Sequence, residues 1–248
     1  MSLNDIYLYM EPYDYDYRGQ GFYVHPYRDF SNYREFEKQM LENINMFGPT
    51  VEEWEVVDTD GGKMVWDAAT DNYGLNEEAY DAIKEFFSWC ANNKVSTDAV
   101  SEFVDLRGHD VTDDIENFLD DNYRGQFDSM LEYAYELIDS IGISKELAEN
   151  YFGFDTLGNA LKASGDLDML IMDEWEDRYD THAEAQAVYD EMYDMRDSDL
   201  GEWYVYDLIG DLDSALGDRV SDYFDYQKFA RDLAYDYDYI DGTIWSNY

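Results

Sequence analysis

The sequence predicts an α+β protein, mostly helical, forming an elongated multi-domain body. Three observations point there. The chain carries a net charge of -43 over 248 residues, yet 18% of it is aromatic and 45% hydrophobic. Chains this acidic with few aromatics stay disordered, whereas 25 tyrosines and 13 phenylalanines supply enough burial for folded cores. Strand-like patterns occur in the first 66 residues and at the C-terminal end, while helical apolar stripes fill the span between them. The charge is also spread along the chain rather than gathered in a tail: about -10 over 1–74, -14 over 75–165 and -19 over 166–248. The expected division is an N-terminal α+β domain (1–72), a helical domain (73–165) and a C-terminal α+β domain (166–248), the last a candidate partial repeat of the middle one.

The elements follow in order. Ile6, Leu8 and Met10 alternate with Asp5, Tyr7 and Tyr9, the period of a strand. Gly19-Gln20-Gly21 predicts a turn and Phe22-Tyr23-Val24 the return strand, with the aromatic–acid alternation Tyr13-Asp14-Tyr15-Asp16-Tyr17 between them. Ser31 can cap a helix over 31–47 that carries Phe36, Met40, Leu41 and Ile44 at helical spacing. Glu53 to Val57 and Lys63 to Trp66 flank Asp60-Gly61-Gly62 as a hairpin. From Leu75 the period becomes helical. Asn76 is a cap, Glu77 and Glu78 sit where the helix dipole favours acids, and Ala79, Ile83, Phe86, Phe87 and Cys90 form the apolar stripe.

Further helices are predicted from Thr112 (Ile115, Phe118, Leu119), from Asp128 (Leu131, Ala134, Leu137, Ile138, Ile141) and over 182–195 (Val188, Met192, Met195). Two more cover 199–216 (Trp203, Leu208, Ile209, Leu212, Leu216) and a short stretch from Asp225 with Phe229 and Leu233 inward, before a closing strand at Thr243-Ile244-Trp245. A weak repeat runs through this half. Tyr135-Glu136-Leu137-Ile138 precedes Tyr151-Phe152, and about 71 residues on Tyr206-Asp207-Leu208-Ile209 precedes Tyr223-Phe224. A duplicated helical unit explains it, as does coincidence in a chain rich in Tyr and Asp.

Residues that could carry chemistry point away from catalysis. Carboxylates this abundant say nothing about an acid–base pair, and the chain is expected not to be an enzyme. His25, His109 and His182 have no metal-ligand spacing and are expected on the surface or hydrogen-bonded internally. Gly19-Gln20-Gly21 lacks the lysine and further glycines of a phosphate loop. Cys90, the one cysteine, lies on an apolar stripe and is expected to be packed rather than nucleophilic; without a partner it forms no internal disulfide, as suits a reducing compartment. Asp236-Tyr237-Asp238-Tyr239-Ile240-Asp241-Gly242 resembles the opening of a calcium loop, but its third acid is one place late and its twelfth position is Asn247; this stretch and Asp58-Thr59-Asp60-Gly61 are read as turns. No metal or cofactor is expected. No apolar run approaches the roughly 20 residues that span a bilayer. Met1-Ser2-Leu3-Asn4-Asp5 lacks the basic and apolar regions of a signal peptide, and the expected location is the cytoplasm of a bacterial host cell.

The carboxylates have a mechanism of their own. A surface this negative repels nucleic acid and anionic membrane and attracts whatever normally binds them. Duplex DNA carries one charge per roughly 1.7 Å of axis, so 43 charges match about 21 base pairs. Helical positions i, i+3 and i+4 are about 5–6 Å apart at Cβ, comparable with the pitch of phosphates along a strand. Three runs stand out as candidate phosphate-mimicking groups: Asp113, Asp114, Glu116, Asp120 and Asp121; Asp173, Glu174, Glu176, Asp177 and Asp180; and Asp190, Glu191, Asp194, Asp197, Asp199 and Glu202. Asp236 and Asp238 join them near the C-terminus. The plainer readings are solvated helix faces, halophilic adaptation, which leaves the aromatic–acid alternation unexplained, or an acidic chaperone or cation-binding protein.

Several motifs resemble those of the ArdA antirestriction proteins, DNA mimics carried by mobile elements and phages. They are Tyr223-Phe224-Asp225-Tyr226, Phe229-Ala230-Arg231-Asp232-Leu233 and the ending Asp241-Gly242 with its hydrophobic tail; upstream are Tyr123-Arg124-Gly125-Gln126-Phe127-Asp128-Ser129 and Tyr133-Ala134. The first 60 residues fit more loosely, through Gly19, Gly21 and Glu52-Glu53-Trp54-Glu55-Val56-Val57-Asp58. The chain departs from the family in being longer, by about the size of the repeat, and in carrying Tyr17-Arg18 where Tyr-Asn is usual. The charge implies no binding to nucleic acid or membrane. The resemblance implies a curved, elongated protein that forms a homodimer near its C-terminal domain. It implies as partner the methyltransferase core of a type I restriction–modification enzyme, whose DNA groove the protein would fill. The same mimicry could address a CRISPR effector, another nuclease complex or a nucleoid protein. Arg231, one of few bases in the densest acidic third, is expected to pair with a neighbouring acid.

Overall fold

A computed structural model describes residues 2–13, 16, 19–47, 54–70, 75–173 and 175–247. The fold is α+β and mostly helical, with two three-stranded antiparallel sheets among the described residues. Contacts group the chain into two compact units, Met1–Asp128 with Asp236–Tyr248, and Ser129–Tyr235. These units do not coincide with the sequence segments 1–72, 73–165 and 166–248. Both are acidic: 32 acids against 9 bases in the first, 27 against 7 in the second.

In the first unit, β1 (Leu8–Pro12) lies between β2 (Phe22–Val24) and β3 (Trp54–Thr59). The alternation appears as expected, with Ile6, Leu8 and Met10 fully buried and Tyr7 and Tyr9 half-buried. The rest of the aromatic–acid turn, at 14–15 and 17–18, lies outside the described residues, as does Glu53. Helix α1 (Tyr33–Asn45) buries Phe36 and Met40 and leaves Leu41 exposed; the side chain of Ile44 is outside the description. Its cap is Asn32 rather than Ser31. Asn32 Oδ1 accepts from Glu35 N (3.1 Å) while Glu35 reaches back to Ser31 N (3.1 Å), so the two ends of the turn satisfy each other's backbone.

Residues 63–66, expected as a strand, are helical. In α2 (Gly62–Thr70), Met64, Val65, Ala68 and Ala69 are buried, a helical spacing that two-residue alternation cannot match. Gly62, at φ 80°, turns the chain from β3 into the helix without a side-chain clash. Helix α3 (Glu77–Asn93) follows its expectation: Asn76 Oδ1 accepts from Ala79 N (2.8 Å), and Ala79, Ile83, Phe86, Phe87 and Cys90 are buried. Helix α4 (Thr97–Arg107) was not anticipated; Ser96 caps it, and Ala99, Val100, Phe103 and Val104 face inward. Helix α5 (Ile115–Asn122) begins three residues past Thr112.

The second sheet contains β4 (Tyr123–Gln126), β5 (Tyr237–Ile240) and β6 (Thr243–Ser246) in the order β4–β6–β5. The expected closing strand is thus central and wholly buried. Asp241 and Gly242 have φ 45° and 78°, the left-handed pair that a two-residue hairpin turn requires. Trp245 is fully buried, stacked on Phe103 (4.4 Å between centroids, 11° between planes) and beside Trp89 (5.8 Å). The chain's end therefore completes the core begun by α3 and α4.

The second unit, inserted in chain order between β4 and β5, is helical. Helices α6 (Met130–Ile141), α7 (Lys145–Tyr151) and α8 (Phe154–Ser164) come first. Then α9 (Asp166–Asp168) widens into a π-helical turn, Met169–Asp173, before α10 (Trp175–Arg178) and α11 (His182–Asp194). Helix α12 (Asp197–Glu202) likewise continues as π-helix over Trp203–Ile209. The single helix expected over 199–216 ends there: Gly210, at φ 109°, breaks it, and α13 (Leu212–Leu216) restarts before a 3-10 stretch, Gly217–Asp222, and α14 (Tyr226–Leu233). Ser129, Ser144, Thr181 and Asp225 cap α6, α7, α11 and α14 through their side chains.

Helices α8 and α12 cross backbone to backbone. A Cβ on Gly158 would lie 1.9 Å from Asp197 O, and one on Gly201 2.2 Å from Phe154 O. Because the obstacle is main chain, neither site can give way by a rotamer change. Gly158→Ala and Gly201→Ala should each destabilise the protein by about 1–3 kcal/mol or more, read as a lower urea midpoint at unchanged slope.

Candidate partner-binding surface

No described Asp or Glu is buried. Helices and strands turn their apolar faces to aromatic cores and leave acids on the opposite faces, which is where low desolvation cost puts them. What distinguishes this surface is how the carboxylates are held.

The first run sits on the turn before α5 and on α5 itself. Asp113, Asp114, Glu116, Asp120 and Asp121 are all exposed and make no ion pair among the described residues. Asp114, at φ 46°, accepts from Asn117 Nδ2 (2.8 Å). Asp120 accepts from the indole nitrogen of buried Trp89 at 2.6 Å, and Trp89 is in turn clamped edge-on by Tyr123 (5.2 Å). The nearby base does not neutralise the run: Arg124 donates to the main-chain oxygens of Asp121 (2.9 Å) and Tyr123 (3.1 Å).

In the same unit, Asp236 and Asp238 are half-buried at β5. Asp238 pairs with Arg107, which also donates to Asn247 Oδ1. Its charge is thereby compensated, so it fits a brace between α4 and β5 better than a phosphate mimic.

In the second unit, Asp173, Glu176 and Asp180 are exposed around α10; Glu174 and the side chain of Asp177 lie outside the described residues. Asp190, Glu191 and Asp194 are exposed on α11, and Gln186 Nε2 donates to Asp190 (2.9 Å). Asp197 and Asp199 are half-buried and neutralised, Asp197 by Lys162 (2.9 Å) and Asp199 by a two-point contact with Arg196 (2.8 and 3.0 Å). The Lys162 hydrogen bond, aided by Asn159, holds the Asp197 carboxyl below its ordinary range. Glu202 is exposed. Arg231 forms no ion pair among the described residues; its Nε donates to Gln227 O (3.3 Å) in the last turn of α14, where the helix dipole favours a cation.

The same neutral bracing recurs elsewhere. Tyr151 donates its hydroxyl to Asp232 (2.9 Å), Tyr7 N donates to Asp60 (2.8 Å), Gly19 N to Glu11 (3.0 Å), and Thr112 N and Oγ1 to Asp110 (3.0 and 2.8 Å). Such donors fix a carboxylate's direction without cancelling its charge. Reasoning from the sequence missed other exposed acids at helical spacing: Glu77, Asp81 and Glu85 on α3, Asp98, Glu102 and Asp105 on α4 (Asp105 paired with Lys63 at 2.6 Å), and Glu136 and Asp139 on α6. Their successive spacings of three and four residues were the available signal.

Of the groups set aside as unreactive, Cys90 is buried, His25 and His109 are half-buried, and His182 is exposed with its ring edge-on to Trp175 (5.6 Å). Burial pushes the Cys90 thiol up to about 12. His25 Nδ1 lies 2.9 Å from Ile6 O, and His109 Nε2 lies 2.6 Å from Asp113 O, its ring stacked on Phe118. Among the described residues no group of three His, Cys, Asp or Glu could hold a metal ion, and no helix is long and apolar enough to cross a membrane.

The family model for the antirestriction protein ArdA matches residues 29–174, more than half of the chain. The chain belongs to the ArdA antirestriction family. Membership carries antirestriction activity, and with it a host defence protein as partner; ArdA proteins are inhibitors rather than enzymes. Comparison with curated proteins and with solved structures finds no match. The ArdA match stops within the second unit, before the second copy of the repeat.

The tyrosines give this acidic surface a marked alkaline response. Burial raises Tyr27 well above 10.0, with Tyr80 and Asp81 adding to it. Burial likewise raises Tyr80, Tyr206 and Tyr226, helped by the carboxylates of Asp81, Glu149 and Asp139 respectively. A phenol with a raised folded-state pKa contributes stability in full below the unfolded value and loses it as pH climbs past the folded one. Thermal stability should therefore hold to about pH 10 and fall above it. The drop should coincide with the rise of tyrosinate absorbance at 295 nm from these buried rings.

Proposed function

We propose that the protein is a DNA mimic that occupies the DNA-binding groove of a type I restriction–modification enzyme, at its methyltransferase core, and so blocks it. One observation carries the reading: runs of exposed carboxylates in both units form no ion pair among the described residues, and Asp114, Asp120 and Asp190 among them are oriented by the neutral donors Asn117, Trp89 and Gln186. A protein that needed acids only for solubility would gain from salt bridges at those positions and has no use for fixed directions. A groove built for phosphates has use for both. Asp113, Asp114, Glu116, Asp120, Asp121, Glu176, Asp180, Asp190, Glu191, Asp194 and Glu202 suit this role; Asp197, Asp199 and Asp238 are better placed as structural anchors.

The test is displacement of labelled duplex DNA from a purified type I methyltransferase core. The protein should displace it stoichiometrically at low salt and progressively less well as salt rises. No displacement from any type I core would remove that target, and capture of a CRISPR effector or a nucleoid protein from lysate would reassign it. Binding without DNA competition would favour an acidic chaperone. Exposed charge contacts are worth about 0.2–1 kcal/mol each. Neutralising Asp113, Asp114, Glu116 and Asp121 together to Asn or Gln should therefore weaken binding about tenfold or more, while each single change should cost less than about fivefold.

A further inference from the structure

The two halves of the weak repeat both lie in the second unit, and they meet there. Phe152 and Phe224 form an antiparallel bridge. A reciprocal pair of hydrogen bonds flanks it: Gly153 N donates to Tyr223 O and Asp225 N to Tyr151 O, both at 2.8 Å. The chain then makes the same turn twice. Gly153 has φ -85° and ψ 71°, Asp225 φ -81° and ψ 76°, both near an inverse γ-turn. Phe154 N closes the first onto Phe152 O (3.1 Å) and Tyr226 N the second onto Phe224 O (3.0 Å).

The rings repeat the pattern. Tyr151 lies 5.9 Å from Phe224 and Tyr223 lies 5.8 Å from Phe152; Phe152–Phe154 is 4.8 Å and Phe224–Tyr226 4.7 Å. Burial agrees at every position when 154–161 is laid on 226–233. Helices α8 and α14 are therefore equivalents, and each residue's contact is mirrored by its counterpart's, the mark of a local two-fold axis.

The contacts made further along are crossed. By the sequence match, Tyr135 on α6 corresponds to Tyr206 in the π-helical continuation of α12. Tyr135 packs on Tyr226 (4.1 Å), which belongs to the second copy, and Tyr206 packs on Phe154 (5.9 Å), which belongs to the first. The helices follow suit: α14 packs along α6, and α8 along α12. A unit folded on itself would place α8 on α6 and α14 on α12.

We propose that the second unit is an exchanged pair, two copies of one helical module fused in a single chain, each docking its closing helix on the other's opening helix. The face of α6 is then a self-recognition surface whose occupant is α14 of the same chain, and the face of α12 one whose occupant is α8. A lone module would offer this surface to another molecule; here both are filled from within. A homodimer of the kind the resemblance implies must therefore use a different surface. The span that joins the copies, from α9 into α12, carries the acids from Asp166 to Glu202, so the fusion also lengthens the charged surface.

Thiol cross-linking in a Cys90→Ala background tests the exchange. Tyr135→Cys with Tyr226→Cys, and Phe154→Cys with Tyr206→Cys, report the two crossed contacts; Tyr135→Cys with Phe154→Cys reports the uncrossed one. With a short bis-maleimide at micromolar protein, and folding checked by circular dichroism, the crossed pairs should give a product of single-chain mass, about tenfold or more above the uncrossed pair. A dominant uncrossed product, or a crossed product at the mass of two chains, would overturn the proposal. Amide exchange of the unmodified protein gives a check that needs no variant. Gly153 and Asp225 should be protected to within about tenfold of each other, and an unprotected amide at either position would rule the two-fold bridge out.

Discussion

Mutual repulsion among carboxylates is the constraint on which the rest of the structure depends. A net charge of -43 opposes any compact state, and 16 bases cannot pair one to one with 59 acids, so salt bridges do little to relieve it. The opposing term is aromatic burial. In the first unit Trp245, Phe103, Trp89 and Tyr123 pack ring against ring, and the last strand of the chain is drawn into the centre of the sheet to complete that cluster. In the second unit the rings of Tyr151, Phe152, Phe224 and Tyr226 do the equivalent work. The high aromatic content and the high charge are thus two sides of one requirement.

The cores also set the direction of the charges. Trp89 is both a core residue and the donor that fixes Asp120; Tyr151 packs against Phe229 and holds Asp232. Two bases sit at joints: Arg107 ties α4 to β5, and Lys162 ties α8 to the start of α12 through Asp197 and Met195 O. At these joints cations brace the scaffold, while neutral donors fix the direction of carboxylates such as Asp120.

Much of this was legible in the sequence where one face is simply buried. The alternation of Ile6, Leu8 and Met10, the stripe from Ala79 to Cys90 with its Asn76 cap, and the closing strand at Thr243-Ile244-Trp245 all formed as their periods dictate. Local patterns misled where tertiary context decided. Lys63 to Trp66 follows a glycine pair and looked like a hairpin arm, but the apolar residues continue through Ala68 and Ala69 at helical spacing. The helix expected over 199–216 is broken by Gly210, and of its stripe Leu212 and Leu216 are buried while Trp203, Leu208 and Ile209 are only half-buried. For the surface, exposure was readable from composition. Compensation was readable only where it is local, as for Asp199 three places after Arg196; nothing in the sequence distinguishes Asp238 and Asp197, whose partners Arg107 and Lys162 are distant, from Asp113 or Glu191, which form no ion pair among the described residues. The repeat was visible only as a faint echo, since its evidence is the bridge between Phe152 and Phe224 and the crossed packing, both long-range.

Thermal unfolding across a salt series tests the central claim most directly. If the carboxylates are uncompensated and opposed by aromatic burial, the melting temperature should climb steadily as sodium chloride rises from about 10 mM to 500 mM, because the screening length shrinks from about 30 Å to a few ångström. A melting temperature that stays flat or falls over that range would mean that the surface charge is already balanced within the fold, and would contradict the account.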